Sequence, residues 1–545
     1  MHWFDELYPK VHTHLAQKLA EYAHMRGVNE FVISSGLSVS GLQHVGRLRG
    51  EIILSHLIAT ELRKEWPEVN QKVVLYTQDP WKASARQQAE FKDGSGGKYA
   101  GWRLEDVPDP YGDHRNWVEH YWEDFGGNLK RFARDVHPIT TTDIYGWPPM
   151  HSLIQELAER REEVRAVVNK YRERKPYPEG WIPFEPRCES CRRVGKAKAL
   201  AVTDRDVEYE CECGHSGKSL LQYGKLNWRL EWPALWKLLR VDIEPFGKDH
   251  ATPGGSRDSC KEIAQTLLGI APPFGIPYEW VAYGVNGVDH GDMDSSDFNG
   301  FGPGAWLQVA TPEVLRFRFA VNPIVRRVVL DLSKLDAYYD QFDLAASSLR
   351  EKGETSDGAN QGRSFDLARL PSQDPEAPSD AWVLRYRQAA YLSQIAPREG
   401  VVPWVERRLR GSGILERELN ATEREDLGSR LRLARTWVEK YSPENRIALL
   451  ERLGPEITAK LDDKDREALR AFAAKVAGMK WQEEDIKASM VGLTKSGGLP
   501  VDTPRFFRDL YLILLGTEKG PRAAPFLAVL DREWVLHRLQ EGAAP

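Results

Sequence analysis

Three short stretches of this chain hold residues whose types and spacing can do chemistry. The first reads RCESCRRVGKAKALAVTDRDVEYECECGHSG, in which Cys188 and Cys191 form CxxC, Cys211 and Cys213 form CxC, and 19 residues separate the pairs. A CxxC knuckle points two thiolates at one ion, and a second pair completes a tetrahedral sulfur site for a structural Zn²⁺. His215 could stand in for one cysteine, because CxC is the less usual knuckle. The second stretch is SSGLSVSGLQHVGRLRG, residues 34 to 50. Its small residues (Ser35, Gly36, Ser38, Ser40, Gly41) let a ligand approach the backbone. His44, Gly46 and Arg47 then open a helix whose free N–H groups favour an anion, so the stretch suits a phosphate or nucleotide. The third is NGVDHGDMDSSDFNGF, residues 286 to 301, a Gly-rich polar turn with a concentration of aspartates.

The elements around these stretches decide what they can reach. Residues 10 to 27 have helical apolar spacing, and Phe31, Val32 and Ile33 form a β-branched run. A glycine-containing turn and a long amphipathic helix beginning near His44 follow. KVVLYT, Lys72 to Thr77, is a second buried-type strand, so the pattern opens a doubly wound α/β sheet with ligands at the strand carboxyl ends. Residues 93 to 112 are rich in Gly, Asp and Pro and read as loop; 151 to 174 read as helix. The β/α pattern returns around 241 to 285, and GGSRD, Gly254 to Asp258, reads as a further helix-opening turn. From about Thr311 long charged helices take over, with a flexible segment at 350 to 380.

At 545 residues, with 41% apolar and 28% charged residues, the chain is expected to be a soluble protein of two to four domains. No run approaches the roughly 18 apolar residues of a membrane span. MHWFDELYPKVHTH lacks the apolar core of a secretion signal. Five cysteines, four of them grouped, point to a reducing compartment and a metal, so cytoplasm is expected. A net charge of −5 excludes wholesale coating by nucleic acid, though not a local basic face.

SGLSVSGLQHVGR resembles the HIGH-type signature of class I aminoacyl-tRNA synthetases, and S-G-x-x-x-S-G-x-x-H-x-G resembles the archaeal-type lysyl-tRNA synthetases among them. EDVPDPYG, EWPALW, EPFGKDHATPGGSRDSCKEIA, PYEWVAYG and the closing LLGTEKGPRAAPFLAVLDREWVLHRL agree in order, so the resemblance spans the chain. It implies a multidomain α/β plus α protein. A Rossmann-type catalytic domain would have its first half and connective insertion at 1–170 and a zinc-ribbon-like insertion at 171–220. Its second half and signature loop would fall at 221–310, and an all-helical anticodon-binding region at 311–545. It also implies lysine–tRNA ligation, with ATP, Mg²⁺, lysine and the lysine tRNA as reactants and a monomeric, membrane-free protein. His44 and Gly46 would be catalytic. Ser40, Gly41, His44, Gly46, Arg47, Met293, Ser295 and Ser296 would bind ATP, and Gly36, Ser38, Trp228, His250 and Tyr278 would line the amino-acid pocket. Arg47 stands where Asn is commoner and would meet phosphate. Arg316, Arg318, Arg326, Arg327, Arg407, Arg408 and Arg410 are candidate tRNA phosphate contacts.

One departure stands out. Where the family reads approximately KMSSSKG this chain reads DMDSSDFNG: Met293, Ser295 and Ser296 match, while Asp292 and Asp297 replace lysines and Asp294 replaces serine. A local charge of about +2 becomes about −3, and one unit pair at ~4 Å in an effective dielectric of ~20 is on the order of 4 kcal/mol. Loss of that stabilisation is roughly a thousandfold in rate. The DDxDPxRKVP-like segment is also eroded, to TQDPWKASARQ from Thr77. The alternative is therefore a diverged paralogue with altered or lost aminoacylation, binding tRNA or an amino acid or serving non-ribosomal aminoacyl metabolism. The aspartates could also hold Mg²⁺ against phosphate.

Overall fold

Strand β1 (Phe31–Leu37) is buried along both faces, as a central parallel strand must be. It pairs in parallel with β2 (Val69–Leu75) from Phe31↔Val69 to Leu37↔Leu75, and β2 pairs onward with β3 (Val136–Thr140). An antiparallel three-stranded insertion follows, β4 (Ala197–Val202), β5 (Asp206–Cys211) and β6 (Ser216–Leu220). Strands β7 (Ile243–Gly247) and β8 (Phe274–Tyr278) then rejoin the first sheet on the other side of β1, through Ile33↔Ile243. The order β8-β7-β1-β2-β3 is doubly wound. Connections leave β1 in opposite directions, so a crevice opens beyond the carboxyl ends of β1 and β7. The computed structural model describes residues 1–26, 30–172, 174–350, 356–370, 382–495 and 498–544.

Two compact units divide the chain. The first contains Met1–Leu307, Thr311–Asp331 and Ala345–Pro375; the second contains Gln308–Ala310, Leu332–Leu344 and Glu376–Pro545. Helices Pro148–Glu159, Trp228–Leu239 and Ser256–Thr266 of the first unit share a core built on Leu153, Leu157, Leu230, Trp236 and Ile263. The described strands of the chain all lie in this unit, and the second is helical. There, helix Ala421–Tyr441 opens with an Asn420/Glu423 capping box, and Tyr386 stacks on Tyr339 at 4.0 Å between ring centroids.

The structure departs from the expected elements at three places. The helix after β1 is not one regular rod: a 3₁₀ turn, Val45–Leu48, runs into a π-type segment, Arg49–Leu54, before α-helix Ser55–Leu62 begins. Side chains divert the carbonyls that a regular ladder would use, since Ser55 Oγ donates to Gly50 O and Ser35 Oγ to Glu51 O. Buried Arg49 also holds the segment to Glu279 O and Pro323 O at 2.9 Å. Second, the region after Thr311 is not all helix. Strand β9 (Val281–Val285) forms a hairpin with β10 (Val288–Asp292), and β11 (Val328–Asp331) pairs with β9 in parallel. The boundary expected at 311 thus falls within the first unit's packing. Third, the flexible segment contains helix Ser356–Ala368, fixed by Arg316 to the carbonyls of Leu367 and Ala368. Residues 351–355 and 371–381 of that segment lie outside the described ones.

Candidate functional site

A cleft of about 680 Å³ lies at the carboxyl ends of β1 and β7. His44 caps the 3₁₀ turn with extended backbone and is 8% exposed. Burial, with Arg47 beside it, holds its imidazole well below the usual histidine range, so the ring is neutral. Its Nδ1 is buried without a hydrogen-bond partner, and a Cβ on Gly46 would come within 2.8 Å of that atom. Gly46 is therefore small for the histidine ring's sake.

The acidic stretch folds as the tip and flank of the β9–β10 hairpin. Met293 N donates to Val281 O, Asp294 and Asn299 exchange backbone hydrogen bonds at 3.0 Å, and Asp297 N is capped by Asp294 Oδ1 at 2.7 Å. This packed turn meets the His44 loop directly. Arg47 Nε donates to Ser295 Oγ at 3.0 Å, Ser296 Oγ to Ser40 Oγ at 3.2 Å and Ser84 Oγ to Ser296 O at 3.3 Å. A Cβ on Gly41 would lie 2.3 Å from Ser295 O. His44, Gly46, Arg47, Met293 and Ser295 line the cleft, whereas Ser40, Gly41 and Ser296 serve the junction of the two loops. The aspartates are not a bare negative cluster. Arg327 Nε donates to Asp292 Oδ1 at 2.5 Å, and its two terminal nitrogens grip Asp289.

Gly36, Ser38, Trp228, His250 and Tyr278 all line the same cleft. A Cβ on Gly36 would lie 2.4 Å from the Tyr76 ring, and Tyr278 packs on Gly50, where a Cβ would come within 2.2 Å. His250 meets Trp232 edge-on at 5.0 Å. Burial and neighbouring Glu51 push the Tyr278 phenol well above its usual value, leaving it a hydrogen-bond donor.

The electrostatics of the wall were not legible in the sequence. Eight carboxylates line the cleft, from Glu51, Asp79, Glu231, Glu244, Asp249, Glu279, Asp292 and Asp294, against one arginine or lysine, Arg47. Most have partners. Buried Lys225 sits between Asp79 at 2.5 Å and Glu231 at 3.1 Å. Glu244 accepts from the indoles of Trp232 and Trp236 and from Arg257. Glu279 pairs with Lys248 at 2.6 Å. Glu51 differs: its Oε2 is buried without a hydrogen bond, and burial pushes its carboxyl up to about 7. Arg47 and the Tyr278 hydroxyl offset only part of that burial, so a ligand-side cation would favour its charged form further. Nothing in the local sequence separates Glu51 from any helical glutamate.

Away from the cleft, Cys188 and Cys213 sulfurs lie 3.7 Å apart and Cys191 and Cys211 3.8 Å apart, with all four within 4.8 Å of one another. A tetrahedron with metal–sulfur bonds of ~2.3 Å has edges of about 3.8 Å, so the four residues fit Zn²⁺. His215 Nδ1 lies 3.1 Å from the Tyr209 hydroxyl, and Cys213 is the fourth sulfur of the cluster. The sequence reading passed over a second cluster, Asp109, His114 and His120, whose ligand atoms also converge. Each histidine Nδ1 there faces an Asp109 carboxylate oxygen, His114 at 3.5 Å and His120 at 3.1 Å. Its signal was the spacing D-x₄-H-x₅-H inside EDVPDPYGDHRNWVEH. Among the basic candidates, Arg316 is buried in the first unit's core and Arg327 is committed to the hairpin, so neither is a free phosphate contact. Arg408 and Arg410 pair with Asp531 and Glu418.

Comparison with known proteins places this geometry. Residues 1–369 match the family model "tRNA synthetases class I (K)", and residues 450–543 match "Anticodon binding domain". The lysine–tRNA ligase of Aeropyrum pernix is 39% identical across 100% of this chain and 98% of its own length. That of Thermoplasma volcanium is 30% identical across 94% of this chain and 96% of its own length. That of Pyrococcus horikoshii is 29% identical across 99% of each. With the His44 loop and the serine-bearing hairpin meeting over a cleft at the sheet's switch point, and with these full-length matches, the chain belongs to the class I tRNA synthetases of the lysine type.

Proposed function

We propose that this protein is a lysine–tRNA ligase acting on the lysine tRNA. The lysine carboxylate attacks the α-phosphorus of ATP, pyrophosphate leaves, and a terminal ribose hydroxyl of tRNA then takes the lysyl group with release of AMP. The observation that carries the reading is the acidic, aromatic-walled cleft that shares its wall with both signature loops. Trp228, Trp232 and Tyr278 can cover an aliphatic stem, and carboxylates, Glu51 foremost, can receive ammonium. Neutral His44 can donate one N–H to a phosphate oxygen, while Arg47 supplies positive charge at the hairpin side. Mg²⁺ would accompany ATP and neutralise its phosphates. Cys188, Cys191, Cys211 and Cys213 would hold a Zn²⁺ that is structural, since protein fills all four positions. Residues 450–543 would read the tRNA anticodon, in a cytoplasmic monomer. No described helix is long and apolar enough to cross a membrane.

Asp292, Asp294 and Asp297 favour a second reading, a paralogue whose adenylation is weakened or lost. Lysine-dependent exchange of pyrophosphate into ATP decides between them. The ligase reading expects exchange with lysine, charging of the lysine tRNA, and a loss of about 10²-fold in His44→Ala with the fold intact. Absence of exchange with any amino acid, alongside retained tRNA binding, overturns it in favour of the second.

A further inference from the structure

The cleft poses an electrostatic problem that rests on the reading just proposed. A site that handles triphosphate offers one guanidinium, Arg47, on a wall with eight carboxylates. Arg47 is aimed by a single hydrogen bond to Ser295, and Asp292, three residues before that serine, also lines the cleft. A free carboxylate at Asp292 would compete with phosphate for Arg47 and repel the phosphate directly. What occupies Asp292 is Arg327, from the start of β11. The next residue, Val328, pairs with Val281 across the small sheet, which sets the guanidinium beside the hairpin. The fork is fully engaged, Nε on Asp292 and both terminal nitrogens on Asp289. That is a geometry arginine can make and lysine cannot.

We infer that Arg327 is a positioning residue for ATP: it masks the Asp289 and Asp292 carboxylates, so that Arg47 remains available to the phosphates. Asp289 and Asp292 are then a charge-paired scaffold, and the cation that meets pyrophosphate is carried by the His44 loop.

The test compares the full-length wild type with Arg327→Gln, Asp292→Asn and the double variant, by ATP titration and by lysine-dependent pyrophosphate exchange. Arg327→Gln is expected to raise the KM and dissociation constant for ATP about tenfold, the scale of one solvent-screened charge. KM for lysine should move far less. Asp292→Asn added to Arg327→Gln should restore ATP affinity to within about threefold, and 0.5 M KCl should narrow the gap between wild type and the single variant. Unchanged ATP affinity in Arg327→Gln overturns the inference, as does a loss that Asp292→Asn does not repair, since a purely structural role would not be rescued by removing the partner. A wild type that binds ATP but exchanges with no amino acid removes the ligase reading alone, because the ATP titrations still decide the role of Arg327.

Discussion

Glu51→Gln is expected to stabilise the first unit while weakening its function. Glu51 is buried, its Oε2 has no hydrogen-bond partner, and its carboxyl is pushed up to about 7 from an ordinary 4.5. At roughly 1.4 kcal/mol per tenfold, keeping the carboxylate charged in the fold costs about 3 kcal/mol relative to the unfolded chain. The folded state binds this proton more tightly than the unfolded one. The penalty is therefore complete above pH 7, fades as pH falls from about 7 to 4.5, and is absent below. Glutamine keeps the shape and carries no charge, so the variant should gain up to about 3 kcal/mol at pH 8 and under ~1 kcal/mol at pH 5. Urea unfolding followed by tryptophan fluorescence reads this directly, because Trp228, Trp232 and Trp280 line the cleft. The functional arm uses pyrophosphate exchange, where the KM for lysine should rise tenfold or more, on the order of one lost charge-assisted contact. A gain equal at pH 5 and pH 8, or a loss of stability at pH 8, would refute the reasoning, since both outcomes place Glu51 in a site that already stabilises its charge.

Further expectations concern the supports of the site. Gly41→Ala sets a Cβ against the Ser295 carbonyl, backbone that cannot swing aside, so it should cost about 1–3 kcal/mol and lower exchange without changing tRNA affinity; a fully active, equally stable variant contradicts the loop junction. Lys225→Met strands Asp79 and Glu231 in the wall, and thermal unfolding should show a loss of about 3–5 kcal/mol at pH 8, smaller at pH 5 where Glu231, its carboxyl already raised by burial, takes up a proton. Cys211→Ser should remove about one equivalent of zinc by elemental analysis and abolish the sulfur-to-metal absorption of a cobalt-substituted sample; unchanged metal content tells against the sulfur site.

The sheet was readable because its strands are short, β-branched and punctuated by Gly-containing turns, and because such a pattern leaves few ways to wind a parallel sheet. The cysteine quartet was readable because knuckle spacing is a local property. What escaped was non-local. The sequence around Asp292 reads as a reversal of charge, yet Arg327 lies 35 residues away and reaches it only because β11 adds to β9. Lys225 and Asp79 are 146 residues apart, and neither predicts the other. The π-type segment after His44 was invisible for a related reason: the residues that open it, Ser35 and Ser55, act through backbone carbonyls, which leave no periodicity. Ser40, Gly41 and Ser296 fit a ligand-facing pattern but are used to join two loops, a distinction of direction that residue type does not encode.

The pairing of Ile33 with Ile243 also has a consequence in time. As the chain leaves the ribosome, β1 to β3 can assemble once residue 140 has emerged, but one edge of β1 stays open until about a hundred more residues are made. Through that interval the hydrogen-bonding groups of a strand that is buried in the finished sheet are exposed, the condition under which sheets pair wrongly or aggregate. The β4–β6 insertion is synthesised inside this window and can close locally on its own hairpins, so it is a self-contained step between two halves of a slow one. Folding of the catalytic sheet, and with it the crevice at β1 and β7, is thereby deferred until the chain has passed its insertion.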